Sequence, residues 1–126
     1  MYDQELSLHH VSLLVADTST ALHFYRDVLG LQQDHSRPEM GFAGAWLRAG
    51  DQQIHLLELP NPDACAERPV HGGQDRHVAF NVQSLESLRQ RLDAAGVPYT
   101  LSQSGRSALF CRDPDANALE FIQLTT

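Results

Sequence analysis

Leu8-His9-His10-Val11-Ser12-Leu13-Leu14-Val15 sets polar, metal-competent side chains into an apolar stretch, and the same design returns in Arg76-His77-Val78-Ala79-Phe80-Asn81-Val82. Side chains of a strand point alternately to its two faces. In the first stretch His9, Val11, Leu13 and Val15 share a face suited to packing under a helix. Leu8, His10, Ser12 and Leu14 share the other. This predicts a buried strand over 7–16 that carries histidine into an otherwise apolar surface. The period then changes. Leu22, Tyr25 and Leu29 are three and four apart, Asp17, Thr18 and Ser19 offer capping oxygens, and Gly30 suits a helix end, so a helix is predicted over 19–29. Short strands follow over 31–36, 45–49 and 53–59, with 49–52 as a tight turn. Three prolines and two glycines make 60–75 an irregular connection.

The second half repeats this order. A strand is predicted over 76–82. Ser84 caps a helix over 85–95 with Leu85, Leu88 and Leu92 on one stripe. Gly96 ends it, and strands follow over 99–103, 108–112 and 118–124. The reading is βαβββ twice, an α+β fold of two curved, mixed, four-stranded sheets, each with a helix on one face. Neither half is large enough to bury a core alone. A single domain over 1–126 is expected, with one module at about 6–59, a linker at about 60–75 and a second module at about 76–124.

Overlaying the halves aligns chemistry as well as pattern. His10 and His77 are 67 positions apart, Gly30 and Gly96 are 66 apart, and Ile54-His55-Leu56-Leu57 falls on Leu119-Glu120-Phe121-Ile122 at 65. By parity, His10, His55, His77 and Glu120 all point away from the helix-facing core. Imidazole and carboxylate together suit Zn²⁺, Ni²⁺, Fe²⁺, Co²⁺ or Mn²⁺. Three histidines and one glutamate hold an octahedral ion with two open positions, where a Lewis acid polarises bound oxygen. Without His55, the other three still form a two-histidine, one-carboxylate face. A lone strand histidine is more often structural, but four candidates at duplicated positions are harder to dismiss. His9, His23, His35 and His71 fall outside the set and read as structural or exposed. Glu58 points to the other face.

Charge and composition remove other classes. The formal net charge of −7 disfavours non-specific binding to nucleic acid. No apolar run approaches the ~18 residues of a membrane span. The first eight residues lack the basic and apolar regions of a signal peptide. Cys65 and Cys111 read as free thiols of a cytoplasmic protein.

Five stretches together resemble the vicinal oxygen chelate superfamily, the glyoxalase, bleomycin-resistance and extradiol-dioxygenase group. They are His10-Val11, the segment from Ala21 through Phe24-Tyr25-Arg26-Asp27-Val28-Leu29-Gly30-Leu31, Ile54-His55-Leu56-Leu57-Glu58, Arg76-His77-Val78-Ala79-Phe80, and Asp113-Pro114-Asp115 through Leu119-Glu120-Phe121. The resemblance implies paired βαβββ modules and a homodimer whose metal sites are shared between chains. His10 and His55 would come from one chain, and His77 and Glu120 from the other. It implies a glyoxalase-I-like lyase or isomerase acting on a small oxygenated metabolite, with the metal stabilising an enediolate-like intermediate. Glu120 is then a fixed ligand or the base.

The chain departs from this pattern in two places. His55 stands where glyoxalase I usually has a carboxylate. The 99–107 segment has no lysine, which disfavours a fosfomycin thiol transferase. Arg106, with Trp46 and Phe110, is the expected substrate-binding group, and Arg76 reads as surface charge. Two other classes stay open: an iron-dependent extradiol-type dioxygenase, and a non-catalytic protein that binds a small toxin or drug.

Overall fold

The computed structural model describes residues 5–63 and 67–125. Its elements are strand β1 (His10–Val15), helix α1 (Thr18–Leu22, continuing as a π-helix over His23–Val28), strands β2 (Gln32–Asp34), β3 (Gly44–Ala49) and β4 (Gln52–Glu58), a 3₁₀ turn (Gly72–Gln74), strand β5 (His77–Val82), helix α2 (Leu85–Ala94), and strands β6 (Tyr99–Leu101), β7 (Ala108–Arg112) and β8 (Ala118–Gln123). The sheets run β1-β4-β3-β2 and β5-β8-β7-β6, each with one parallel pair (β1 with β4, β5 with β8). The predicted order of elements is therefore observed, in two mixed sheets.

The duplication extends to register. His10 pairs with Gln53 and Ser12 with His55; His77 pairs with Ala118 and Ala79 with Glu120. Trp46 lies opposite His55, and Phe110 opposite Glu120. So Trp46 and Phe110 are equivalents, a correspondence carried by strand pairing rather than sequence spacing.

Both modules contribute to one core. Val15, Phe24, Tyr25, Leu47, Ile54 and Leu56 from the first join Leu88, Leu92, Leu109, Leu119 and Phe121 from the second. Each strand sends alternate residues inward, as parity requires. The opposite face is exposed along β1, which corrects the expectation of a buried first strand, whereas on β7 and β8 Phe110, Ala118 and Glu120 are buried there too. In β1, His10 and Ser12 are exposed while Val11 and Leu13 are half-buried. The strand is also shorter than 7–16, because Glu5 to His9 is outside regular structure.

Helix α1 begins where Asp17 accepts from the Thr20 backbone N–H at 3.0 Å. Its second half is wound more widely than expected. The Leu29 N–H donates to the Phe24 carbonyl, five residues back. Phe24, Tyr25, Val28 and Leu29 of this segment are all buried in the core. Glu58 faces the start of this helix and accepts from Thr18 N–H at 2.8 Å and its hydroxyl at 3.0 Å. In α2, Ser84 caps by accepting from Ser87 N–H at 3.1 Å.

The modules are stitched by a turn of the second. Asp113 is 5% exposed and accepts the Tyr25 hydroxyl at 2.6 Å. Burial pushes the Asp113 carboxyl above the usual range, although Tyr25 and Asn117 donate to it. Asn117 reaches the Leu14 carbonyl at 3.1 Å, and Asp115 accepts from Ala16 N–H at 2.9 Å. Across the core, Arg91 donates to the Leu29 carbonyl where α1 ends. Cys111 is free and buried, and its thiol is pushed up to about 12 by that burial. Cys65 lies outside the described residues.

Candidate metal centre

His10, His55, His77 and Glu120 all lie on the open faces, as parity predicted, but within one chain they form two pairs. Among the described residues, no three His, Cys, Asp or Glu side chains are arranged to hold a metal ion.

The first pair is a stack. The His10 ring lies on the His55 ring with centroids 3.9 Å apart and planes 17° apart. Trp46 covers the other side of His55 at 4.3 Å and 7°. His10 Nδ1 is 2.8 Å from His9 Nδ1, and His10 Nε2 makes no hydrogen bond among the described residues. Burial first, then the neighbouring His10, His9 and Arg37, hold the His55 ring below the usual histidine range.

The second pair meets edge to end. His77 Nε2 is 3.1 Å from Glu120 Oε1. His77 Nδ1 lies 2.9 Å from the Asp75 carbonyl, which can only accept, so Nδ1 carries a proton and Nε2 faces the carboxylate. Outer partners of this kind fix a metal-binding imidazole. Glu120 is 3% exposed, and Arg106 donates to its second oxygen at 2.9 Å. Two ligand atoms each about 2.1 Å from an ion, at right angles, stand about 3.0 Å apart. The spacing of His77 and Glu120 fits that demand.

Around this pair is a hollow of about 340 Å³, bordered by Phe110, Arg106, Ser102, Ser104 and His71. Phe110 turns its ring edge-on to His77 at 5.2 Å and to His71 at 4.8 Å. His71 was not anticipated here, because its position has no duplicate. Its Nδ1 is bound to Thr100 Oγ1 at 2.7 Å. The signal available in sequence was the adjoining Gly72-Gly73, which permits close packing. A Cβ at Gly73 would stand 2.9 Å from His71 Nε2 and 3.2 Å from the Phe110 ring.

Of the expected substrate-binding residues, Phe110 and Arg106 border the second pair and Trp46 borders the first. Arg106 already has an anionic partner in Glu120. Arg76 is ion-paired with Asp63 at the surface.

The Glyoxalase/Bleomycin resistance protein/Dioxygenase superfamily model matches residues 7–121. The chain belongs to this superfamily. It is 31% identical over 119 residues to glyoxylase I 4 of Arabidopsis thaliana, covering 90% of this chain and 68% of that protein. It is 32% identical over 117 residues to the glutathione transferase FosA of Serratia marcescens, covering 90% and 78%. In structure it resembles a variant of the fosfomycin resistance protein FosX from Listeria monocytogenes, complexed with manganese(II) and 1S,2S-dihydroxypropylphosphonic acid. The TM-score is 0.75 at 20% identity, covering 97% of this chain and 95% of that one. At that identity the likeness shows the fold alone. Among the described residues no helix is long and apolar enough to cross a membrane.

Proposed function

We propose that the protein is a metal-dependent vicinal oxygen chelate enzyme, a glyoxalase-like lyase or isomerase of a small oxygenated metabolite, working as a homodimer. The observation that carries this reading is the division of the candidate set: each chain presents a His10–His55 pair and a His77–Glu120 pair, in identical register. A second copy brings the pairs together, with His10 and His55 from one chain facing His77 and Glu120 from the other. The manganese and dihydroxy ligand on the FosX fold support it by analogy.

The chain's residues divide the work. A divalent ion here supplies Lewis acidity toward two neighbouring substrate oxygens. The Asp75 carbonyl keeps His77 Nε2 directed at the site. Arg106 occupies one oxygen of Glu120 and leaves Oε1 as the presented atom. Phe110 and Trp46 supply apolar walls that limit water. Glu120 is also the group placed to accept a substrate proton, by its closeness to the metal position.

Metal content of protein purified without a histidine tag tests the reading. About one equivalent per chain is expected, falling at least about tenfold in Glu120→Ala, the scale of loss seen even for outer-shell changes. Zinc or nickel directs assays to isomerisation. Iron, with oxygen uptake on catechols, replaces the reading with the dioxygenase. Wild type that takes up no ion after loading with several overturns it and leaves the small-molecule binder.

A further inference from the structure

His55 and Glu120 are equivalents, yet their immediate partners differ. Glu120 meets His77 and Arg106. His55 meets Gln53, whose equivalent in the second module is Ala118. The module that places a histidine at this position thus also carries an amide beside it. Gln53 Oε1 is 2.9 Å from His55 Nε2, and Gln53 Nε2 is 2.8 Å from Asp34 Oδ2.

The orientation of this amide follows from Asp34. The other Asp34 oxygen accepts from Ser36 at both its hydroxyl, 2.7 Å, and its backbone N–H, 3.0 Å. Those bonds hold the Asp34 carboxyl below the usual range, so it is an acceptor only. The Gln53 NH₂ must therefore face Asp34, which leaves its carbonyl oxygen facing His55. A carbonyl oxygen only accepts, so His55 Nε2 must donate. The two flanking rings, His10 and Trp46, hold the imidazole plane in place.

We propose that Gln53, clamped by Asp34, is a positioning residue that fixes the proton of His55 on Nε2, so that His55 supports His10 by stacking and does not ligate a metal through Nε2. The metal part rests on the function proposed above; the tautomer does not. One consequence is an additional coordination position for substrate or water. A second is a reversal between the two modules. His77 Nδ1 donates to the Asp75 carbonyl and its Nε2 is directed at the Glu120 carboxylate, whereas His55 Nε2 donates to the Gln53 carbonyl.

Long-range ¹H–¹⁵N correlation on full-length, ¹⁵N-histidine-labelled protein tests this, first stripped of metal and then loaded with Zn²⁺. His55 is expected to carry its proton on Nε2 in both samples. The His55 Nε2 proton should be slow enough in exchange to observe in wild type and lost from view in Gln53→Met. Asp34→Asn, which deprives Gln53 of its clamp, should give the same loss and serves if the first variant does not fold. Transfer of the His55 proton to Nδ1 on Zn²⁺ loading overturns the proposal. So does a His55 Nε2 proton equally protected in the folded variants. Wild type that binds no Zn²⁺ defeats the metal reading alone and withdraws the consequence for coordination. The metal-free spectra still decide the role of Gln53.

Discussion

The two open faces have the same backbone and register but opposite chemistry. On the first, His10 and His55 lie flat on each other beneath Trp46, and among the described residues no carboxylate is hydrogen-bonded to either ring. On the second, His77 points head-on at a buried carboxylate that is also tied to Arg106. One half supplies neutral nitrogen and aromatic surface; the other supplies charge. The duplicated backbone sets where a side chain emerges. What that side chain can do is set by its neighbours, and these differ: Gln53 against Ala118, Trp46 against Phe110.

The halves, though chemically distinct, share one core and should unfold as one cooperative unit. Leu56 is 1% exposed and Leu119 is 0% exposed, one in each sheet and both in the shared core. Changing either to alanine should cost about 2–5 kcal/mol. Chemical denaturation should still show one transition in each variant. Two separated transitions would break the picture of a common core.

Tyr25→Phe sharpens it further, because that hydroxyl joins the first helix to the turn of the second module. Asp113 would lose its Tyr25 donor while keeping Asn117, at a cost of about 1–3 kcal/mol. A loss no larger than that of an exposed substitution would show that this stitch carries little.

The helix starts give a smaller, matched test. Asp17→Ala and Ser84→Ala should each cost about 1 kcal/mol, and similarly, since each removes one cap. Markedly unequal losses would show that the Thr18–Glu58 contacts substitute for the Asp17 cap in the first helix.

The smallest expected effect concerns pH. Asp113 has its folded pKa raised by burial, so the folded state holds that proton more tightly than the unfolded chain. The stability contributed by this group therefore falls as pH rises from the unfolded value, about 3.9, through the folded one. Wild type should gain on Asp113→Asn as pH is lowered through that window. A margin that narrows on acidification would reverse the assigned direction.

Much of the fold was legible because its signals are local. Parity placed His10, His55, His77 and Glu120 on the open faces, and Gly30 and Gly96, both with positive φ, marked the helix ends. What was hidden depends on contacts between distant residues. The π-helical winding over 23–28 has no counterpart in the apolar spacing, which fits an α-helix equally well. His71 enters the hollow through Thr100, 29 residues away, and Arg106 reaches Glu120 across a hairpin. Gln53 was invisible because its role requires Asp34 from another strand.

The central claim is that a complete site needs two chains. It is tested most directly by mixing His10→Ala with Glu120→Ala after unfolding and joint refolding, then measuring bound Zn²⁺ per chain. Each variant alone should bind little. In a mixed dimer one site collects both defects and the other collects none. Random pairing should therefore restore about a quarter of the wild-type capacity. Capacity that stays at the level of the separate variants would contradict a site shared between chains.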